Sequence, residues 1–299
     1  MRLFITGGSG FLGRRVVVRA RAAGHEVTVL SRRADPPGLP EGTTVVAGDL
    51  NDSAALPGQL ADAAPDAVIH AAAIVSDSDP HLHHVNVTGT ANLIHALQQP
   101  LSAPQHAPAP RLVYVSSFAV EDIPPTPYSE SKLEAEGLVR ASGLPHVIAR
   151  PSLIYGAGDS SNTPKLVERM QAGRMWLPGG GATRIQPVHV DDVAAALVTA
   201  ATREGVDGNT YRLGGAEPIS VRAWRHAVRD ATGGQGRVCS IPLPLYLMGA
   251  RLAALLGVRK PLAVAQFHLA DHAVDSSAAR DDLDFDPRPL AEGLAATFD

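Results

Sequence analysis

The chain has 299 residues, a formal net charge of −4 and a single cysteine, Cys239. A chain of that length buries a core without covalent staples, and one cysteine cannot close an internal disulfide, so Cys239 is read as a core thiol. The acidic balance, with no run of Lys and Arg, argues against nucleic acid and leaves a small molecule as the expected partner.

Met1 runs directly into a strand-like stretch with no room for a signal peptide, so a cytoplasmic location is expected. Over the first two-thirds, short apolar or β-branched runs (3–6, 27–30, 44–47, 67–70, 112–116 and 146–149) alternate with longer helical patterns. That rhythm predicts βαβ units and a doubly wound parallel sheet whose ligands sit at the carboxyl ends of the strands.

The first strand is followed by Thr6-Gly7-Gly8-Ser9-Gly10-Phe11-Leu12-Gly13 and then at once by a helical pattern. Between a first strand and a first helix, such glycines let backbone N–H groups approach a diphosphate at the positive end of the helix. The fold class is therefore α/β of the Rossmann type, and Gly7, Ser9, Gly10, Phe11, Leu12 and Gly13 are candidate cofactor-binding residues. The second strand ends in Ser31-Arg32-Arg33 where an acid for the ribose hydroxyls of NAD is usual. A guanidinium there suits a 2′-phosphate, which favours NADP over NAD. Asp49, before Leu50, either accepts from the adenine amine or caps the next helix.

Residues 99–110, with four prolines, are expected to form a surface loop. After the fifth strand come Val115, Ser116 and Ser117, either hydroxyl of which could orient a substrate carbonyl. Tyr128 and Lys132 then open a helical pattern at i, i+4 spacing, which puts phenol and ammonium on one face. A neighbouring ammonium stabilises phenolate and makes Tyr128 a usable acid/base. Beyond Pro151 the rhythm loosens. Residues 1–158, with 184–214 returning, are expected to form the dinucleotide-binding domain, and 159–183 with 215–299 a smaller C-terminal substrate lobe. Residues 241–258 are the most apolar stretch, but Pro242, Pro244 and Arg251 make an integral membrane span unexpected, and a buried helix or the wall of a pocket is predicted. His81, His83 and His84 lack a completing ligand set for metal. Trp176 and Trp224 are read as substrate-lobe lining or packing.

Taken in order, Thr6-Gly7-x-x-Gly10-x-x-Gly13, Asp49-Leu50, His70-Ala71-Ala72-Ala73, Asn86-Val87-x-Gly89-Thr90, Val115-Ser116-Ser117, Tyr128-x-x-x-Lys132, Arg150-Pro151-x-x-x-Tyr155-Gly156 and Val188-His189-Val190-Asp191-Asp192 resemble the landmarks of the extended short-chain dehydrogenase/reductases. The chain is similar above all to their NAD(P)-dependent epimerase/dehydratase and dihydroflavonol-reductase-like branches. The resemblance implies Ser117, Tyr128 and Lys132 as catalytic residues, with Lys132 at the nicotinamide ribose. It further implies Ala71, Ala72 and Ala73 passing the diphosphate, Asn86 supporting the active-site backbone, and Val115, Pro151, Leu153 and Ile154 beside the nicotinamide. Because dimers are common in the family, a homodimer is a candidate assembly. Ile185 and Gln186 stand where the sugar-nucleotide branch commonly carries an Arg-Asp pair, so a small or hydrophobic carbonyl or alcohol is the expected substrate. The alternatives are an epimerase or dehydratase that retains its NAD(P), and a non-catalytic NADP-binding module.

Overall fold

The computed structural model describes residues 1–99, 109–122, 124–159, 163–171, 173–258 and 260–298; most of the expected loop at 99–110 lies outside them. The chain forms two compact units. One holds Met1–Pro151, Val190–Leu213 and Ser276–Asp286, the other Ser152–His189, Gly214–Asp275 and the residues from Pro287 onward.

With elements numbered in chain order, the first unit carries β1 (Arg2–Thr6), β2 (Glu26–Ser31), β3 (Thr44–Ala47), β4 (Ala67–His70), β5 (Arg111–Val115), β6 (His146–Pro151) and β11 (Thr210–Leu213). They form one seven-stranded sheet in the order β3-β2-β1-β4-β5-β6-β11, and every neighbouring pair is parallel. The order reverses between β1 and β4, the switch point at which such sheets bind ligands. Leu3, Phe4, Ile5 and Thr6 of β1 are all buried, as expected of a strand covered on both faces. Phe4, Val68, Leu112 and Tyr114 share one core with Leu56 and Leu60 of α2 (Leu56–Ala63), Leu93 of α3 (Gly89–Leu97), and Ala135 and Val139 of α4 (Pro127–Ala141). Elsewhere in the unit α1 (Phe11–Ala22) packs on α6 (Val190–Thr202), where Arg15 Nη2 meets Asp191 Oδ2 at 2.7 Å.

The second unit has three two-stranded sheets: β7 (Ile154–Tyr155) with β10 (Val188–His189), β8 (Arg174–Pro178) with β13 (Arg237–Ile241), and β9 (Arg184–Ile185) with β12 (Ile219–Ser220). Around them lie α5 (Thr163–Gln171), α7 (Val221–Ala231), α8 (Leu243–Leu255), α9 (Lys260–Phe267) and α11 (Leu290–Phe298). Tyr155 stands at its centre, with Trp224 and His189 edge-on at 5.1 and 5.4 Å. Trp224 therefore packs in the core, whereas Trp176 is exposed and Cys239 is half-buried on β13, so the reading of Cys239 as a core thiol fails. The prediction of a buried helix over 241–258 fails too. Only Ala250 of α8 is buried, and Leu245, Leu252 and Leu255 are exposed.

The boundaries also differ from those expected. Residues 184–189 stay with the second unit because the Gln186 amide donates to Gly215 O and accepts from Val274 N. Ser276–Asp286, with α10 (Ser277–Leu283), joins the first unit, where Tyr211 donates to Asp282 at 2.8 Å.

Gly13 is fixed by this packing. A Cβ there would lie 2.1 Å from Gly7 O and 2.9 Å from Gly8 Cα, whereas one on Gly137 in α4 would meet nothing. Gly13→Ala is expected to cost about 1–3 kcal/mol and Gly137→Ala to gain about 1 kcal/mol. Urea unfolding of both variants checks this, and shifts of the same sign would contradict the packing described.

Candidate active site

The turn after β1 is built around Gly7, whose φ of +72° suits glycine. A Cβ on Gly7 would fall 2.6 Å from Ala72 N, so the turn lies directly against the loop that leaves β4. The two loops are also bonded. Ala71 N donates to Thr6 O at 3.1 Å and Ala72 N to Thr6 Oγ1 at 3.4 Å. Thr6 Oγ1 sits 2.6 Å from His70 Nδ1, and His70 Nε2 is 2.9 Å from Thr90 Oγ1. Burial, helped by the charge of Lys132, pulls the His70 pKa down to about 3, so the ring is neutral and serves as a buried brace.

Gly10 donates to Gly7 O and caps α1 through its backbone alone. No side chain caps this helix, and its first turn holds no acid. The N–H groups of Phe11, Leu12 and Gly13 are the leading amides of a helix, which have no partner inside it. A Cβ on Gly10 would meet only Gly7 O, at 3.2 Å, so a side chain would fill open space above those amides. Exposed Ser9 contributes its carbonyl to Arg14. An uncapped helix start with no acid and a bare glycine suits a diphosphate, and these residues fit the dinucleotide that the sequence implies.

At the end of β2, Ser31 is buried and accepts from Arg33 N, while the Arg32 and Arg33 side chains are exposed. Asp49 Oδ1 accepts from Asn51 N and Nδ2. It does not cap α2, whose N-cap is Ala55, so that one of its two readings is excluded. Leu50 is buried and its carbonyl is held by Asn92.

The candidate catalytic side chains come from β5 and α4. A capping box fixes the start of α4: Thr126 Oγ1 accepts from Ser129 N and Ser129 Oγ from Thr126 N, with Pro127 in the first helical position. Tyr128 therefore sits in the first turn and Lys132 in the next. The two serines after Val115 diverge. Ser116 is buried and donates to Glu136 at 2.6 Å, whereas the hydroxyl of half-buried Ser117 accepts from Ala119 N at 3.1 Å and acts on the nearby Tyr128 phenol, whose pKa it lowers. Burial and the Asp77 carboxylate raise the Tyr128 pKa above its usual value of 10.0 and outweigh the lowering effect of the Ser117 hydroxyl, so the phenol keeps its proton at neutral pH. Lys132 is buried with Nζ 4.3 Å from the Tyr114 ring centroid, and burial, opposed by Glu136, lowers its pKa to about 7.

Asn86 lies in a π-helical turn, His84–Thr88, a deformation frequent at functional sites. Its amide accepts from Ile74 N and donates to Ile74 O and to Ser131 Oγ, which in turn donates to Tyr128 O. It is thus the link between the β4 loop and the Tyr128 turn. Ala73 is exposed on that loop. Pro151 ends β6, while Leu153 and Ile154 belong to the second unit, where Leu153 O accepts from Val188 N. His83 pairs with Glu134, and among the described residues no group of three or more His, Cys, Asp or Glu could hold a metal ion.

Two contributors were absent from the sequence reading. Asp77 accepts from Tyr128 N at 2.8 Å, a contact that depends on loop closure and leaves no sequence signal. Glu136 lies one turn beyond Lys132, a spacing visible in the sequence, and its fully buried carboxylate takes bonds from Ser116, Arg140 and Arg150.

The family model for NAD dependent epimerases and dehydratases matches residues 3–214, well over half of the chain. The chain belongs to that family. Among curated relatives of this epimerase/dehydratase family member, a 2-alkyl-3-oxoalkanoate reductase of Stenotrophomonas maltophilia is 30% identical over 324 aligned positions, covering 98% of this chain and 97% of that one. A 4-hydroxy-2-methyl-3-oxo-4-farnesyl-3,4-dihydroquinoline-1-oxide ketoreductase of Stigmatella aurantiaca is also 30% identical, covering 86% and 80%. The solved UDP-glucose 4-epimerase of Thermotoga maritima shares the fold, with a TM-score of 0.77 at 20% identity over 100% of this chain and 97% of that one. Family membership and the named reductases make the chain an oxidoreductase-type enzyme of the extended short-chain dehydrogenase/reductases, with NAD(P) as its cofactor class.

Glu136 gives a pH-dependent test. Its pKa is lowered from 4.5, burial being outweighed by the Arg150 and Ser116 bonds. The stabilisation is therefore complete above the unfolded value and lost as pH falls through the lower folded one. Glu136→Gln is expected to cost about 3–5 kcal/mol at neutral pH by leaving Arg150 without its buried carboxylate, with the deficit shrinking towards pH 3. Denaturant unfolding at both pH values measures it, and a pH-independent deficit would refute the charge-based account.

Proposed function

We propose that the protein is an NADP-dependent reductase of ketones carried on apolar skeletons, with Tyr128 as general acid. The observation that carries this reading is the protonated Tyr128 phenol near Ser117, one turn ahead of buried Lys132. When bound, NADPH supplies the hydride that the carbonyl carbon accepts. Tyr128 Oη gives its proton to the carbonyl oxygen, and the Ser117 hydroxyl donates a hydrogen bond to the same oxygen. Protonated Lys132 stabilises the phenolate left behind, which then recovers a proton from solvent. The diphosphate belongs on the amides of Phe11, Leu12 and Gly13 and passes Ala71 and Ala72, the adenine side falls to Asp49 and Leu50, and a 2′-phosphate falls to Arg32 with Ser31 and Arg33. Val115, Pro151, Leu153 and Ile154 are assigned to the nicotinamide side, and the second unit to the substrate.

Two relatives whose names describe keto-group reduction on alkyl or farnesyl frameworks support the substrate class. The buried Gln186 supports it as well, because both ends of its amide are engaged within the second unit and none is left for a nucleotide.

Tyr128→Phe is expected to lower turnover about 10²–10⁴-fold while NADPH affinity stays within a few-fold. The assay is loss of NADPH absorbance with a panel of 2-alkyl-3-oxo acids and apolar ketones. A variant as active as the parent would eliminate Tyr128 as the acid, and substrate conversion without net cofactor change would replace the reductase with the epimerase reading.

Cofactor choice is tested separately. NADPH is expected to bind at least tenfold tighter than NADH, about 1.4 kcal/mol, and the Ser31→Ala/Arg32→Ala double variant to lose that preference. Fluorescence titration measures both, and equal affinities in the parent would shift the assignment to NAD.

A further inference from the structure

Helix α8 turns its apolar face outward. Leu255 and Leu256 are 83% and 81% exposed, Met248 and Leu252 each 65%, and Leu245 56%. At 3.6 residues per turn these five side chains fall within about 100° of arc, and Ala250, the one buried residue of the helix, lies on the opposite side. Single exposed leucines are ordinary on a protein surface; a contiguous helical stripe of them marks an interaction site.

The charge of the segment that carries the stripe points to its partner. From Leu243 to Ala270 the chain contains Arg251, Arg259 and Lys260 and no aspartate or glutamate, within a protein whose net charge is −4. The segment that carries the exposed leucines is thus positive by sequence. Arg251 is exposed at the edge of the arc, where its long stem can follow apolar contacts and still keep its head in water. A second copy of the chain is a poor fit. A two-fold interface sets a patch against itself, so a positive segment without a carboxylate would face its own like. Thirteen helical residues span about 20 Å, short of the roughly 30 Å of a hydrocarbon core, and no described helix is long and apolar enough to cross a membrane. A helix with one apolar stripe, a basic edge and insufficient length to span is suited to lie in a lipid interface.

We propose that α8, with Leu256 at its end, is a docking surface for an anionic lipid bilayer, its exposed leucines entering the acyl boundary while Arg251 meets the headgroups. This docking does not depend on the reductase reading.

The test is flotation of the full-length protein with two kinds of vesicle, pure phosphatidylcholine and a mixture of phosphatidylcholine with phosphatidylglycerol. The protein is expected to float with the mixed vesicles and at least tenfold less with the neutral ones. Leu252→Glu/Leu255→Glu is expected to reduce flotation at least tenfold, and Arg251→Glu several-fold. These side chains are exposed, so thermal unfolding and NADPH binding of the variants should match the parent. A milder Leu252→Ser/Leu255→Ser pair stands in if the glutamates disturb folding. Failure to float with anionic vesicles at low salt overturns the proposal, as does flotation unchanged by the leucine variants. A dimer in vesicle-free solution that the same variants dissociate would also overturn it, by making a second copy the occupant.

Discussion

The close approach of the Gly7 turn to the loop leaving β4 governs the first unit. With φ at +72° and a would-be Cβ 2.6 Å from Ala72 N, this contact admits no side chain. It lets Thr6 bond Ala71 and Ala72, and it positions His70 to join Thr6 to Thr90 on α3. The leading amides of α1 and the β4 loop are thereby held at the switch point of the sheet, and the β4 loop carries Ile74 and Asp77 onward to Asn86 and Tyr128.

That second link ties the β4 loop to the start of α4. Asn86 closes on both backbone groups of Ile74 and reaches Ser131, whose hydroxyl bonds Tyr128 O, while Asp77 receives Tyr128 N. The phenol thus belongs to a turn held at its backbone N–H and carbonyl. On the other side of α4, Glu136 gathers Ser116, Arg140 and Arg150, and Arg150 continues to Glu121, which also receives Arg212 of β11. A buried carboxylate is stable there because every charge around it is paired and hydrogen-bonded. The same node holds Ser116 inward and leaves Ser117 to the phenol.

Burial sets the ionisation states. It makes His70 neutral, brings Lys132 down to about 7 and keeps Tyr128 protonated. The Tyr128 phenol therefore carries its proton at neutral pH, the state that the proposed carbonyl reduction requires.

The sequence by itself determined the parallel sheet, the glycine turn between β1 and α1, and the places of Tyr128 and Lys132 in successive turns of one helix. All three are local patterns: continuous apolar strands, glycines between a strand and a helix, and i, i+4 spacing. It left Ser116 and Ser117 undivided, because their difference lies in which one meets Glu136, a residue twenty positions from Ser116. It missed Asp77, which reaches Tyr128 only once two loops have closed. It could not decide whether residues 241–258 are covered, because an apolar run looks the same in sequence whether its neighbours cover it or leave it bare. Only the tertiary structure decided those points, since each depends on contacts between residues far apart in the chain.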